Sequence, residues 1–216
     1  MTRRPWLVGV SGASGTPYAA AVLRGLLDAG DPVDLVVSRA ARLTLLDETG
    51  QAFRDAHWRA DLTAWLGRDL GLADVAYWPA ADLAAGPSSG SYPARGMVVV
   101  PASTAAVAGI ALGLSKDLLQ RAADVTLKER RPLVVVPRET PLTGATLRHL
   151  VALDAAGAVV LPASPAFYGA PRSVQQLVDF VAGKVLDVLG VEHDLLRRWH
   201  GVLGAARDGT EGGPSH

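Results

Sequence analysis

A glycine- and serine-rich turn near the N-terminus has the residue types of an anion-binding site. It runs Gly9-Val10-Ser11-Gly12-Ala13-Ser14-Gly15 and directly follows the apolar residues Trp6-Leu7-Val8. A strand that breaks into small residues and then enters a helix directs backbone N–H groups and the positive helix end at one spot, where phosphate binds. The spacing Gly-x-x-Gly-x-x-Gly places Val10 where a dinucleotide fingerprint needs its second glycine. The turn therefore favours a mononucleotide over NAD or FAD.

Four further segments place polar or turn-forming residues after a short apolar run. They are Ser38-Arg39, Pro101-Ala102-Ser103-Thr104, Pro137-Arg138-Glu139-Thr140-Pro141 and Leu161-Pro162-Ala163-Ser164-Pro165-Ala166-Phe167-Tyr168. Hydroxyls and backbone amides can bind phosphate, and Arg138 adds a guanidinium suited to bidentate contact. The simpler alternative is that each serine or threonine only caps a helix, which is the commoner role of any one of them.

A basic segment precedes one of these runs. Arg121 and Lys128 lie seven residues apart within residues 115–131, together with Glu129. These side chains fit either a phosphate site or a solvated helix face with ordinary charge pairing. The five histidines show no metal-ligand spacing, and we assign them no chemistry.

The elements that must position these residues alternate between strands and helices. Unbroken apolar runs predict strands at residues 6–10, 33–37, 97–100, 133–136 and 158–161, each buried on both faces. Helical spacing predicts helices over about 16–28 and 173–189. The pattern predicts an α/β fold with a doubly wound, mostly parallel sheet, Rossmann-like or flavodoxin-like, with helices on both faces. Ligands of such sheets collect at the carboxyl ends of the strands, so the five polar segments should converge there.

Other stretches are less informative. Residues 51–83 hold three tryptophans in weakly periodic sequence and are predicted as a helical insertion plus a strand. Residues 86–93, Gly-Pro-Ser-Ser-Gly-Ser-Tyr-Pro, form either a lid or a surface connection. The glycine-rich stretch 208–216 is predicted to be a disordered tail after one domain spanning 1–207.

Composition excludes several classes of function. The chain has 216 residues, and its 21 basic and 21 acidic side chains balance, so no net field favours nucleic acid or an anionic membrane. Cysteine is absent, which excludes disulfides, thiolate metal sites and a cysteine nucleophile. The apolar start is interrupted by glycines, so neither a signal peptide nor a transmembrane helix is expected. We expect a cytoplasmic protein.

Taken in order, these motifs resemble those of the flavin prenyltransferase family (UbiX-like), formerly described as aromatic-acid decarboxylases. The resemblance covers residues 6–50 and 96–200. Its marks are Ser-Gly-Ala-Ser-Gly at 11–15, Arg-Ala-Ala-Asp-Val-Thr-Leu-Lys-Glu at 121–129, Pro-Arg-Glu-Thr-Pro at 137–141, Phe-Tyr at 167–168 and Asp-Phe-Val at 179–181.

The resemblance implies an activity. A family member attaches the dimethylallyl group of dimethylallyl phosphate to reduced FMN, joining it to flavin N5 and C6 and releasing phosphate. The prenylated FMN serves as cofactor of a partner UbiD-like decarboxylase. The resemblance also implies a homo-oligomer, a dodecamer, with the flavin near subunit contacts.

The resemblance implies roles for residues position by position. The flavin would be held by Gly12, Ala13, Ser14, Ser38, Ser103, Thr104 and Arg138. The prenyl phosphate would be held by Tyr168 and Lys184, with help from Arg121, Lys128 and Arg138. Glu139 would donate a proton to the departing phosphate, Ser14 and Glu48 would lie near the reacting flavin edge, and Trp199 would line the prenyl pocket.

Simple chemistry supports such a set of residues. Breaking an allylic C–O bond leaves positive charge on carbon and negative charge on phosphate, so the site needs cations at one end and a π-face at the other. A carboxyl can protonate the leaving phosphate only if its pKa is kept high, and Glu139 could instead orient Arg138 or Lys128. The sequence has no Asp-rich diphosphate motif, so we predict metal independence.

Several alternatives remain at this point. Tyr168 could be a buried turn residue, Trp199 a packing anchor and Lys184 a solvated side chain. Lys116-Asp117 departs from the neutral residues of many relatives. Thr16 replaces the second glycine of a Gly-x-Ser-x-Gly elbow, so a serine hydrolase is disfavoured.

Two other functions share the same fold and cofactor. An FMN-dependent decarboxylase of a cysteinyl substrate would need an asparagine that Pro-Ala-Ser-Thr-Ala-Ala at 101–106 lacks. A non-catalytic flavin-binding protein would have no use for the cations together with Glu139 and Tyr168.

Overall fold

A computed structural model describes residues 3–198. Six parallel strands form one sheet in the order β3-β2-β1-β4-β5-β6. The strands are β1 (Trp6–Val10), β2 (Val33–Val37), β3 (Val75–Tyr77), β4 (Gly96–Ala102), β5 (Leu133–Pro137) and β6 (Val159–Val160). The helices are α1 (Thr16–Asp28), α2 (Arg39–Thr49), α3 (Trp58–Leu66), α4 (Thr104–Ala111), α5 (Leu118–Lys128), α6 (Gly144–Ala155) and α7 (Val174–Leu189). This strand order is that of the Rossmann fold and confirms the predicted doubly wound sheet.

Helices cover both faces of the sheet because alternate strand residues point to opposite sides. Val8 and Val10 of β1 pack into a core with α1, α3 and α7. Leu7 of the same strand packs into the other core, with α4, α5 and α6. Since both faces are buried along β1, β4 and β5, the sequences of these strands are continuously apolar instead of alternating. The edge strand β6, in contrast to the prediction, is not buried on both faces, because Val159 is exposed.

Close packing fixes α7 against α1. A Cβ atom on Gly25 of α1 would lie 2.4 Å from Leu186 Cδ1 of α7. Any larger residue would push the Leu186 methyl group out of its position. The contact sets the position of α7, which carries Lys184.

A buried carboxylate ties the start of the sheet together. Asp34 of β2 is fully buried and accepts hydrogen bonds from Arg3 Nη1 at 2.6 Å, Trp78 Nε1 at 2.9 Å and the Tyr92 hydroxyl at 2.6 Å. Burying a charge is costly unless it is paired and hydrogen-bonded, and here three donors meet that need. A lone acid inside the apolar run of β2 was a signal in the sequence that some partner had to exist.

The segment 86–93 is a surface connection with several hydrogen bonds, and a role as a lid stays a prediction. It contains a short 3₁₀ turn at Gly86–Ser88. Arg131 donates to the carbonyl oxygens of Tyr92 at 2.7 Å and Gly90 at 2.8 Å. The Tyr92 hydroxyl is bound by Asp34, so the segment is held at both its backbone and its side chain.

The predicted strands and helices can be compared with the observed ones, whereas the predicted tail cannot. The strands at 6–10 and 33–37 and the helix at 16–28 are confirmed in their bounds, and the region 51–83 contains α3 and β3 as expected. Among residues 3–198, no helix combines the length and apolarity needed to cross a membrane. The tail at 208–216 lies outside the described residues and stays a prediction.

Candidate active site at the carboxyl edge of the sheet

At the carboxyl edge of the sheet, where the parallel strands end, one serine connects the loops that follow β1 and β4. The hydroxyl of Ser11 is buried, donates to the Pro101 carbonyl at 2.8 Å and accepts the Ser103 N–H at 2.7 Å. In this strand order the direction of chain winding reverses between β1 and β4, the place where ligands bind in doubly wound sheets. Ser11 thus fixes the two loops that flank this crevice.

Hydrogen bonds connect the other strand ends to the same place. Arg138, directly after β5, donates from Nε to the Ser14 carbonyl at 2.8 Å. The Ser38 N–H donates to Val10 O at 2.9 Å, and the Ala163 N–H donates to Pro137 O at 3.0 Å. The ends of these strands therefore lie along one edge, but Tyr168 at the end of the fifth segment packs against Phe180 instead of joining the Ser11–Ser103 crevice.

Gly12 lets the first loop lie against the start of α2. A Cβ atom at this position would be 2.4 Å from Ala40 Cβ and 3.0 Å from the Ala40 carbonyl carbon. Backbone atoms cannot move aside as a flexible side chain can, so the loop tolerates only glycine here. The close approach puts Gly12 to Ser14 beside the N-terminus of α2.

Ser38 and Ser103 both cap helices, as the simpler alternative predicts. Ser38 Oγ accepts the Ala41 N–H at 3.1 Å at the start of α2, and Ser103 Oγ accepts the Ala106 N–H at 3.2 Å at the start of α4. Each cap satisfies one of the four N–H groups that a helix start leaves without an intrahelical partner. The earlier amides of both helices are directed at the carboxyl edge, so capping and anion binding are compatible. Thr104 is the first residue of α4.

The backbone amides at the start of α1 bind a side chain of the protein, whereas the sequence predicts that they bind a phosphate. The carboxylate of Glu48, near the end of α2, accepts the N–H groups of Gly15 and Thr16 at 2.8 Å each and the Thr16 hydroxyl at 2.6 Å. A side chain of the protein therefore takes the amides that we assigned to a phosphate. The positive ends of α2 and α4 remain for an anion.

Glu48 also holds the Ser14 hydroxyl. Burial would raise the pKa of Glu48, but hydrogen bonds from the Ser14 and Thr16 side chains and from two backbone amides outweigh it and lower that pKa below its ordinary value. Glu48 is thus an ionised acceptor that orients Ser14. The predicted place of both residues near the reacting flavin edge stays a prediction.

Glu139 lies exposed beside Arg138. Its Oε1 accepts the N–H of the next residue, Thr140, at 3.0 Å. In the chain Glu139 directly follows Arg138, whose guanidinium binds Ser14 O. Its predicted role as proton donor stays a prediction.

Arg121 and Lys128 do not join this group within one chain. Arg121 of α5 donates to Ser88 O at 3.1 Å and pairs with Asp124 at 2.8 Å. Lys128, the last residue of α5, pairs with Glu129 against Gly90. Because α5 leads into the start of β5, Lys128 lies near the amino edge of the sheet, about 15 Å along β5 from Arg138.

Lys184 of α7 and Tyr168, which lies in the segment before α7, form a third group. The Tyr168 ring packs edge-on against Phe180, with ring centroids 5.9 Å apart. Lys184 follows Phe180 by four residues, so it lies one turn further along the same helix face. Its side chain is 48% exposed and pairs with Asp187 at 3.4 Å, and the exposed alternative therefore holds within one chain.

The residues Asp117 and Trp199 complete the set that the sequence singles out. Asp117 caps α5 by accepting the Gln120 N–H at 2.9 Å, which gives the unusual Lys116-Asp117 a structural role. Trp199 lies outside the described residues. Residues 3–198 hold no group of three or more histidine or acidic side chains that could bind a metal ion.

Sequence reasoning missed a polar cluster next to Ser38. Arg42, one turn further along α2, pairs with Asp55 and donates to the Tyr77 hydroxyl at 2.7 Å. Burial and the hydrogen bond to Asp55 raise the pKa of Tyr77 well above its ordinary value. The cluster ties α2, which carries both Ser38 and Glu48, to the end of β3. Nothing in the spacing of these three residues predicts it.

Comparison with known proteins gives consistent matches over nearly the whole chain. A family model described as Flavoprotein matches residues 1–186. A flavin prenyltransferase UbiX from Streptomyces coelicolor is 71% identical over 212 residues, which cover 94% of this chain and 98% of that protein.

Solved structures agree with the sequence match. The crystal structure of AnUbiX (PadA1) in complex with FMN and dimethylallyl pyrophosphate is 36% identical with a TM-score of 0.82, covering 93% of this chain and all of that one. A dodecameric FMN-dependent UbiX-like decarboxylase from Escherichia coli O157:H7 is 38% identical with a TM-score of 0.80, covering 91% and 100%.

Proposed function

The chain belongs to the flavin prenyltransferase family, and we propose that it transfers the dimethylallyl group of dimethylallyl phosphate to N5 and C6 of reduced FMN. The products are prenylated FMN and phosphate. The observation that carries this proposal is the convergence of Gly12, Ser14, Ser38, Ser103 and Arg138 at one crevice, in a chain 71% identical to a flavin prenyltransferase.

The residues of the crevice fit FMN. The helix starts at Ser38 and Ser103 offer amides to a phosphate, and the loop at Gly12 is packed so closely on α2 that the backbone itself forms the wall. The family resemblance assigns Ala13 and Thr104 to the same wall, and Arg138 is attached to it through Ser14 O. The balanced net charge of the chain is no obstacle, because these contacts are local.

Proton transfer at the flavin edge would fall to Ser14 and Glu48. Reduced FMN, when bound, supplies the nucleophilic positions N5 and C6. The Ser14 Oγ can accept the proton that C6 must lose, while its own proton passes to Glu48. The lowered pKa of Glu48 makes it a weak final base, so its main effect is to fix the direction of the Ser14 hydroxyl.

Cations would stabilise the departing phosphate. Arg138 lies in the crevice, and we expect Glu139, the next residue, to donate a proton to the leaving oxygen. The family resemblance assigns Tyr168, Lys184, Arg121 and Lys128 to the same phosphate. With these cations present the reaction needs no metal ion.

These residues can act on one phosphate if the site is shared between subunits. Within one chain the three groups lie apart, and a single phosphate cannot contact both ends of β5. Symmetric assembly would bring α5 of one subunit and α7 of another to the crevice of a third. The role of Trp199 at the prenyl pocket rests on the family resemblance alone. We therefore propose a homo-oligomer, a dodecamer like the Escherichia coli relative, located in the cytoplasm and supplying prenylated FMN to a UbiD-like decarboxylase.

The mass of the flavin product tests the proposal. Purified protein is incubated with reduced FMN and dimethylallyl phosphate in the absence of oxygen. The mass of the extracted flavin is then measured by mass spectrometry. We expect a gain of one dimethylallyl unit that persists after a chelator is added. Unchanged FMN with folded, FMN-bound protein would refute prenyl transfer and leave a cysteinyl decarboxylase or a flavin carrier as the function.

Arg138→Ala and Asp179→Asn provide the controls for that assay. Arg138 is the cation of the crevice, so its loss should abolish the mass gain. Asp179 is a partly exposed acid on α7 that accepts a hydrogen bond from Gln175 at 2.7 Å, and none of the proposed site roles falls on it. Its variant should give as much product as the wild type.

A further inference from the structure

One carboxylate after Lys184 gathers three basic side chains. Asp187 Oδ1 accepts from His193 Nε2 at 3.1 Å and from Arg198 Nη2 at 2.9 Å, while Oδ2 pairs with Lys184 Nζ at 3.4 Å. The Leu195 N–H donates to His193 Nδ1 at 3.1 Å, so the ring presents its Nε2 proton to Asp187. The two oxygens of Asp187 therefore have separate tasks: one binds the following segment, the other binds Lys184.

The ionised state of Asp187 is well supported by this geometry. Burial would raise the pKa of Asp187, but hydrogen bonds from Arg198, His193 and Lys184 outweigh it and lower the pKa below the ordinary value. The His193 side chain is only 3% exposed. A buried ring in a fixed tautomer is a rigid support, whereas Lys184 is a long, half-exposed side chain.

Gly183 makes room for the supporting segment. A Cβ atom there would lie 2.6 Å from Leu196 Cδ2 and 2.8 Å from His193 Cε1. The segment 191–198 thus packs directly on α7 at the residue before Lys184. Its position and that of Asp187 are coupled through both packing and hydrogen bonds.

We propose that Asp187 is a positioning residue that orients Lys184 toward the prenyl phosphate, with His193 and Arg198 holding Asp187 in place. The inference rests on the proposed function, in which Lys184 binds that phosphate. The Lys184 contact at 3.4 Å is long, so the ammonium is restrained while its other N–H donors stay available. A lysine whose rotamers are already limited loses less conformational freedom on binding than a free one.

Direct binding of dimethylallyl phosphate tests the proposal without turnover. Protein loaded with oxidised FMN is titrated with the donor by calorimetry, and folding is followed by thermal unfolding. Asp187→Asn should raise the Kd about two- to tenfold, the range expected for releasing one restrained side chain. The matched control Asp179→Asn, on the same helix but away from Lys184, should leave the Kd unchanged.

A double-mutant cycle separates positioning from a general structural effect. In the Lys184→Ala background, Asp187→Asn should weaken binding no further, because Asp187 acts through Lys184. An equal loss in both backgrounds, or an unchanged Kd in the single variant, would overturn the inference.

Gly183→Ala perturbs the same support without altering any charge. Its Cβ displaces His193 and Leu196, so it should weaken donor binding in the same direction as Asp187→Asn even though alanine favours the helix. If neither Asp187→Asn nor Gly183→Ala weakens donor binding, the positioning role is refuted while the proposed function stands. A wild-type protein that takes up FMN but never binds the donor refutes the proposed function, and this inference with it.

Discussion

Glu48→Gln should lower both the stability of the fold and the rate of prenyl transfer, because one carboxylate serves both. It accepts the amides of Gly15 and Thr16, the Thr16 hydroxyl and the Ser14 hydroxyl. Glutamine has almost the same size, but its NH₂ group cannot accept a hydrogen bond. At least one donor at the start of α1 therefore loses its partner, and the negative charge at the positive end of α1 is lost as well.

The size of the effect follows from the exposure of the group. Hydrogen bonds to a charged partner contribute about 1.5–3 kcal/mol each, but Glu48 is largely exposed and solvent screening reduces this. We expect the free energy of unfolding to fall by about 1–2 kcal/mol. For a domain of this length that corresponds to a Tm lower by about 2–8 °C.

The dependence on pH gives the sharper test. The pKa of Glu48 is lowered in the folded state, so its stabilisation is complete above the pKa of the unfolded chain and is lost as pH falls through the folded pKa. The Tm difference between the wild type and Glu48→Gln, measured by scanning calorimetry, should be largest near neutral pH and shrink below about pH 4.

Asp47→Asn is the matched control for this experiment. Asp47 is the neighbouring exposed acid on α2, and its loss should change stability by no more than about 0.5 kcal/mol. A Tm difference for Glu48→Gln that does not vary with pH, or an equal effect of Asp47→Asn, would refute the capping role. Loss of stability with an unchanged prenylation rate would instead remove Glu48 from the chemistry.

Four further substitutions address the cofactor crevice, the core and the leaving group. Gly12→Ala should weaken FMN binding about tenfold or more in a fluorescence titration, because its Cβ meets Ala40 at 2.4 Å. Asp34→Ala should lower the free energy of unfolding in urea by about 3 kcal/mol, and Tyr92→Phe, which removes one of its donors, by only about 1 kcal/mol. Equal losses would contradict the account of that cluster. Glu139→Gln should bind FMN normally but slow turnover about a hundredfold, and an unchanged rate would place the proton donor elsewhere.

Local patterns in the sequence predict the sheet because the relevant signals are themselves local. The apolar runs of β1 and β2 and the turn into α1 are each complete within a few residues, so their bounds could be predicted. The strand β3 has only three residues. So short a strand is stabilised by the neighbouring strand and leaves little pattern of its own.

Contacts between distant residues account for what the sequence could not predict. Glu48 reaches amides 32 and 33 positions away, and Arg42 meets Tyr77 across 35 positions. Such pairs depend on how α2 packs, and no spacing rule encodes that packing. The resemblance suggested that Glu48 lies near Ser14, but its position as the cap of α1, where we expected a phosphate, emerged only from the fold.

The separation of Lys128 from Arg138 leads to a test of the shared site that needs no structure of the assembly. Lys128→Ala and Arg138→Ala should each abolish prenyl transfer, since each removes a cation from every site. If the two residues of a site come from different chains, random co-assembly of the two variants in equal amounts leaves about a quarter of the sites with both cations.

Mixed assemblies, formed by co-expression, should therefore regain about a quarter of the wild-type rate, while the separately expressed variants mixed after purification stay inactive until subunits exchange. If both residues served the same site from one chain, every site in the mixture would lack one of them and no activity would return. Lys128 and Arg138 lie at opposite ends of β5, so one chain cannot supply both to the same phosphate. A failure of complementation would therefore also exclude Lys128 from phosphate binding. The pairing of Lys128 with Glu129 would then be the whole role of this lysine.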